Sequence, residues 1–411
     1  MQTIPEPSQT LPVSGTAEVL VAGGGIAGIA AALAAARHGK KVTLLEREYL
    51  LGGLATLGLI TIYLPLCDGC GNQVVYGLGE ELLRLSVKNG HEGVLPTCWL
   101  EADGSRDERK EKRFVTQFNP HFFALECERL LLAAGVTVLY GTFVADTVVA
   151  DDAITHVIVE NKSGRSAIAV QSVIDCTGDA DVLWHAGAPT ALNKDGNALA
   201  NWYYSYQRDR GVALNMFGLA DVPPEDYEKS RKPAYSDAKA VSEIDPRFRF
   251  SGVDGPELSL AVQAAHRLMY EDIQKARQDD PTLVPVTISS IPLIRMSRRI
   301  VGESVMRIED DHCRSAESIG MTGNWYRRGP VFEIPFGALR SSKVKNLLAA
   351  GRDVSAEGEM WNVMRVIPPC AVTGQAAGTA AALGNDFDSL DIRALQRALE
   401  TDGVKLHWEE P

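Results

Sequence analysis

The chain has 411 residues, a formal net charge of −12, 45% hydrophobic residues and 23% charged residues. That length suits more than one domain, and that composition allows a sizeable core without disulfide or metal staples. The acidic balance disfavours nucleic acid and anionic membranes as partners, since both attract basic patches.

No uncharged apolar run reaches the roughly 18 residues that suggest a membrane span. The first residues, Met1 to Gly15, are rich in Pro, Ser, Thr and Gln and lack the basic and apolar regions of a signal peptide. Residues 1–16 are therefore expected to be a loose arm, and the protein cytoplasmic. Seven scattered cysteines, an odd number, fit a reducing compartment better than a disulfide framework. Cys67 and Cys70 are the one close pair, and no second pair follows to complete a zinc site, so no metal is expected.

The first element is the apolar run Glu18 to Ala22, which reads as a strand buried on both faces. A glycine-rich turn follows, then an alanine-rich helix from Ile29 to His38 ended by Gly39. Lys41 to Glu46 is the second strand, completing a βαβ unit. Asn119 and Pro120 open a helix that runs to about Ala134, and Val136 to Tyr140 is a third strand. Phe143–Val149, Thr155–Val159 and Ser166–Val170 read as an antiparallel meander with turns at Asp151-Asp152 and around Gly164. Val173 to Asp175 returns as a separate apolar strand. A long helix is expected over Glu257–Gln278.

These elements predict an α/β fold: a Rossmann-type dinucleotide-binding domain with an antiparallel β-meander and an inserted mixed α+β substrate domain. The nucleotide domain is expected over 17–190 and 331–400, the substrate domain over 191–330, and 67–113 is a candidate cap region.

Gly23-x-Gly25-x-x-Gly28 lies between a strand and a helix, as a phosphate-binding turn requires. Gly23 permits the turn, Gly25 lets a pyrophosphate approach the backbone, and Gly28 lets helix and strand pack closely. The helix N-terminus offers N–H groups and partial positive charge to the phosphates. Glu46 ends the second strand, where an acid accepts ribose hydroxyls and repels a 2′-phosphate, which disfavours NADP. The motif alone does not separate FAD from NAD.

The rest of the chain resembles the FAD-dependent oxidoreductase family within the glutathione-reductase-like flavoproteins, over about 17–190 and 331–384. Gly28 to Gly39, with Ala32 between, is similar to the extended flavoprotein fingerprint. Gly52-Gly53-Leu-Ala-Thr56 resembles the family's second glycine pair, and Asp175-Cys-Thr-Gly-Asp179 the motif after the meander. Asn346 to Arg352 is similar to the late strand that returns to the ribitol, and Ile367 to Ala371 to the start of the last helix. The resemblance implies FAD as cofactor. It implies a site formed by Gly23, Gly25, Ile26, Ala27, Gly28, Glu46, Arg47, Gly52, Gly53, Val144, Thr177, Gly178 and Asp179. Gly351, Arg352, Asp353, Cys370 and Ala371 complete it. In the family an Asp follows the glycine of the late strand; here Arg352 intervenes before Asp353, and either could reach the flavin. Free N–H groups of Cys370 and Ala371 would face the flavin pyrimidine. Gly374 and Gly378, four apart, would let this helix approach the sheet.

The resemblance further implies an oxidoreductase that moves hydride between a small-molecule substrate and flavin N5. Arg365, just before the last helix, and Arg298 and Arg299 in an arginine-rich segment are the candidate catalytic residues. A guanidinium can fix a substrate carboxylate with two bonds, although solvated surface roles suit such residues equally. Cys67 and Cys70 lie too far beyond Gly53 to match the family's redox dithiol and read as ordinary cysteines. Five histidines (His91, His121, His185, His266 and His312) are favoured by no spacing, and Glu357 and Glu359 precede Arg365 as candidate bases. No second GxGxxG follows a strand, so the second electron partner is a substrate, a quinone, oxygen or a protein. Two other readings stay open: a flavin-dependent hydroxylase or NAD-binding dehydrogenase, and a non-catalytic flavin-binding partner protein.

Overall fold

Val19, Leu20, Val21 and Ala22 are all buried, as a run without alternation requires, and form the end of strand β1 (Val13–Ala22). The computed structural model describes residues 4–5, 8, 10–91, 95–101, 104–218 and 249–409. Strand β1 begins earlier than expected: Val13 to Ala17 pair with Ala167 to Val170, so the arm ends at Pro12. Residues 1–3, 6–7 and 9 of that arm, 92–94 and 102–103 of the expected cap, and 219–248 of the expected substrate domain lie outside the described residues.

Helix α1 (Ile26–Arg37) follows the glycine turn, and β2 (Val42–Leu45) pairs parallel to β1. Helix α2 (Leu78–Val87) precedes α3 (Pro120–Ala133), whose Asn119 cap accepts the His121 and Phe122 N–H groups at 3.1 and 3.0 Å. Strand β3 (Thr137–Leu139) then pairs parallel to β2. The meander is β4 (Phe143–Ala150), β5 (Ala153–Asn161) and β6 (Gly164–Asp175). Here β6 is one continuous strand, where two had been expected. Its first half pairs antiparallel with β5, while β1 runs parallel along its other edge to Asp175.

Beyond the meander, β7 (Thr190–Leu192) precedes the hairpin β8 (Ala200–Gln207) and β9 (Gly211–Gly218). Helix α4 (Gly255–Asp279) is capped by Asp254, whose side chain accepts the Glu257 N–H at 2.8 Å. Strand β10 (Val284–Ile288) pairs with β8, and β11 (Arg298–Ile300) with β7. Strands β12 (Ser318–Gly323) and β13 (Val331–Pro335) form a hairpin, and β14 (Leu347–Ala349) pairs parallel to the end of β6. The short helix α5 (Gly358–Met364) leads into α6 (Ile367–Leu383).

The main sheet therefore runs β3-β2-β1-β6-β5-β4, with β14 beside the C-terminal half of β6. The C-terminal ends of β1, β2, β6 and β14 converge, and at that edge a doubly wound sheet opens a crevice for ligands.

A separate apolar cluster joins Leu199, Tyr203, Phe250, Ala265, Leu268 and Ile294. Met306, Ile319, Phe332 and Ile334 instead belong to the main core, so 298–330 pack with the nucleotide-binding body. Cys67, Val75, Leu82, Leu83 and Trp99, from the candidate cap region, also lie in the main core. Their apolar side chains need a partner surface, and α3 and α6 supply it. Among the described residues no helix is long and apolar enough to cross a membrane.

Candidate active site

The three motif glycines have distinct surroundings. Gly23 has φ +103°, and a Cβ there would overlap the Cys176 carbonyl. A Cβ at Gly28 would overlap the Gly23 carbonyl, so helix and turn interlock. Gly25 has nothing within 4 Å of its Cβ position and faces the cleft, which leaves its backbone open to a phosphate.

Glu46 is buried at the end of β2. Its Oε2 accepts the Gly24 N–H at 2.8 Å and its Oε1 accepts the Glu48 N–H at 2.8 Å. Burial, opposed by these two hydrogen bonds, holds its carboxyl above the usual range. The carboxylate thus ties the Gly24 turn to the backbone that follows β2. Gly52 and Gly53 bring a second backbone stretch against Gly25, with the Gly52 N–H donating to the Gly24 carbonyl at 2.8 Å. Arg47 and Val144 line the same cleft, as do Ile26 and Ala27.

The segment after β6 is shaped by two buried acids. Asp175 accepts the Thr177 N–H at 3.1 Å, the Thr177 hydroxyl at 2.7 Å and the Leu183 N–H at 2.9 Å. Asp353 accepts the Gly178 N–H at 3.0 Å and the Ala180 N–H at 3.2 Å. Burial, with Asp175 nearby, raises the Asp353 carboxyl well above its ordinary value. Arg352 lines the cleft with Thr177, Gly178, Asp179 and Gly351, whereas Asp353 is turned to the 178–180 backbone. Arg352 donates to the Ile294 carbonyl and lies 3.6 Å from Asp179.

The last helix starts at Ile367, and two features of its first turn differ from expectation. The Cys370 N–H donates to the Val366 carbonyl at 3.1 Å, so it is spent within the helix and is not offered to a ligand. Ala371 is buried and does not line the cleft. Pro368 and Pro369 carry no N–H, which leaves Ile367 as the donor of the first turn. Cys370 presents its side chain instead, with burial pushing the thiol up to about 12. Gly374 and Gly378 do approach closely, but their partner is α1 rather than the sheet.

The candidate arginines separate. Arg365 lines the cleft, and its Nε donates to Asn362 Oδ1 at 2.7 Å. Arg298 is buried and does not line the cleft. It donates to the Asp179 carbonyl and to Asp181, each at 2.9 Å, and stacks over Trp184. Arg299 is also buried away from it, donating to the Ile300 carbonyl at 3.0 Å and lying over Trp361. Spacing alone conceals this, because a cation in a buried strand finds its acceptors from distant segments. Glu357 pairs with Arg307, and Glu359 with Tyr326 and Arg327, so neither acid faces the cleft. No histidine lines it. Cys67 is buried among core residues and Cys70 exposed, both outside the cleft. Among the described residues no cluster suits a metal ion.

The cleft is open at its mouth and has about 210 Å³ of space inside. The open Gly25, the Gly52-Gly53 backbone and the Glu46 carboxylate fit a dinucleotide along one arm. The lining also includes the apolar residues Leu54, Leu57, Ile291, Pro292, Ile294 and Ile367. The residues from 252 to 294 were not foreseen, since apolar side chains in no motif carry no signal of what they face.

The family model described as FAD dependent oxidoreductase matches residues 18–275 and 257–399. No curated protein sequence matches the chain. Among solved structures, a geranylgeranyl bacteriochlorophyll reductase-like protein of Thermoplasma acidophilum is 12% identical, with TM-score 0.47, over 95% of this chain and 82% of that one. The aromatic hydroxylase CabE of angucycline biosynthesis is 14% identical, with TM-score 0.45, over 94% of this chain and 69% of its own. The p-nitrophenol 4-monooxygenase PnpA of Pseudomonas putida is 12% identical, with TM-score 0.42, over 96% and 82%.

Proposed function

Because the chain belongs to the FAD-dependent oxidoreductase family, we propose that this oxidoreductase exchanges hydride between a small anionic substrate and its flavin, with Arg365 as the anchor. FAD is the cofactor, and when bound it supplies N5 as the position that accepts or gives the hydride.

Gly25, Gly52, Gly53 and Glu46 would hold the phosphates and ribose, and Arg352 and Asp179 the middle of the molecule. Arg365 caps α5 immediately before α6, so its backbone is fixed between two helices. Asn362 holds its Nε, which orients the plane of the guanidinium. A carboxylate gripped by that plane positions the adjacent carbon for transfer, and such positioning supplies several kcal/mol of rate. The apolar side chains of the cleft strengthen the ion pair by excluding water. The positive end of α6 favours negative charge at the same place, by about 0.3–2 kcal/mol.

The observation that carries this reading is the sorting of the three arginines: Arg365 faces the cleft, while Arg298 and Arg299 have buried partners elsewhere. The test is anaerobic stopped-flow reduction of the holoprotein with a panel of small carboxylates. Arg365→Lys should raise the substrate concentration for half-maximal reduction about tenfold or more, with FAD retained. Reduction as fast as the parent at every concentration would move the anchor elsewhere. Oxygen-dependent consumption of NADH or NADPH on adding an aromatic substrate would instead identify a hydroxylase.

A further inference from the structure

Beside the flavin cleft lies a second, partly open cavity of about 190 Å³, more than the about 150 Å³ of an apolar cavity that takes up benzene. It opens between the start of β8, Phe250, helix α4 and the 288–294 segment. Ala198, Ala200, Ala261 and Ala265 line it, and all four are buried. Concave, mostly apolar spaces of this kind are where small organic molecules bind.

Its frame is fixed in advance. Asn197 is fully buried, and its Nδ2 donates to the carbonyls of Phe250 at 2.9 Å and Met296 at 2.5 Å. Its Oδ1 accepts the N–H groups of Arg295 at 3.0 Å and Met296 at 2.9 Å. The backbones of Asn197 and Phe250 exchange two further bonds, at 2.7 and 3.0 Å. One side chain thus pins three segments around the space.

The lining determines what fits. Among the described residues no Asp, Glu, Lys or Arg contributes to it. Ser289 Oγ donates to the Ile291 carbonyl at 2.6 Å, Asn201 Oδ1 accepts the Trp202 N–H at 2.8 Å, and His266 is exposed. A charged ligand would lose its hydration there without an ionic partner, whereas an apolar one would not. Ile291, Pro292 and Ile294 line both this cavity and the flavin cleft, and the Ser290 N–H donates to the Leu57 carbonyl of the cleft at 3.0 Å.

We propose that this cavity binds an uncharged, mainly apolar small molecule, held against the wall that it shares with the flavin cleft. This does not depend on hydride transfer or on Arg365. The test is a fluorescence titration of the holoprotein with N-phenyl-1-naphthylamine, an uncharged apolar dye. Saturable binding at one site is expected. Ala265→Phe and, separately, Val262→Trp should fill the space and weaken the dye by about tenfold or more, with flavin content unchanged. Leu260→Trp, on the exposed side of α4, should bind like the parent. Absence of saturable binding, or binding unmoved by both filling variants, overturns the proposal. Should Ala265→Phe fail to fold, Val262→Trp at its half-buried position carries the test.

Discussion

Gly374 of α6 passes so close to Ala27 of α1 that a Cβ on the glycine would overlap the Ala27 carbonyl oxygen. Gly378 stands in the same relation to Ala31, one turn further along both helices. The two contacts differ in one respect: Ala27 lines the flavin cleft and Ala31 does not.

Gly374→Ala and Gly378→Ala should each destabilise the protein by about 1–3 kcal/mol through overpacking, read by denaturant unfolding. Gly374→Ala should also lower FAD occupancy, because separating the helices displaces the start of α1. Equal occupancy in the two variants would show that the phosphate turn is insulated from this contact.

Asp175 gives a pH signature. Burial raises its carboxyl to about 6, despite the Thr177 and Leu183 donors, against about 3.9 in an unfolded chain. Below about 4 both states are protonated and the group is neutral in its effect. Between about 4 and 6 the folded state holds the extra proton, so stability falls as pH rises, and the cost is complete above 6. The loss amounts to about 3 kcal/mol, as two pKa units imply. Asp175→Asn removes this slope while carrying a constant cost at the Leu183 N–H. Unfolding of parent and variant between about pH 4 and 6.5 should show their difference changing in this sense; parallel curves would contradict it.

The nucleotide-binding half was legible because each of its parts has a local physical cause. Gly23, Gly25, Gly28 and Glu46 are set by the strand–turn–helix geometry within one short stretch. What was not legible depends on distant partners. The spacing of Gly374 and Gly378 announces a close approach without naming the surface, and the surface is α1. The arginine-rich segment announces charge, yet only the fold shows that Asp181 and the Asp179 carbonyl await Arg298. The candidate cap region 67–113 likewise has its packing set at a distance, since Cys67, Leu82 and Trp99 are inside the main core.

Arg298 should therefore behave as a structural residue. Arg298→Gln leaves Asp181, itself raised by burial, without its cation. A loss of about 1.5–3 kcal/mol in unfolding free energy is expected. The protein that retains flavin should be reduced at the parent rate. A slowed reduction at full flavin occupancy would return Arg298 to the list of substrate anchors.

Substitution of Glu46 should separate two contributions to FAD binding. Its carboxylate would accept ribose hydroxyls, and it already holds the N–H groups of Gly24 and Glu48. Glu46→Ala removes both, at about 1.5–3 kcal/mol for each charge-assisted bond to the ribose, which is a tenfold to hundredfold weaker dissociation constant per bond. Glu46→Gln keeps one acceptor oxygen and removes the charge that burial opposes. The first variant should purify largely without flavin while keeping its circular dichroism spectrum. The second should retain part of its flavin, and its folded state should be relieved of the buried charge at neutral pH. Occupancy is read from the ratio of flavin to protein absorbance, and affinity from titration of FAD into the apoprotein. Full occupancy in Glu46→Ala would place the ribose against other residues of the cleft and leave Glu46 as a brace for the turn alone.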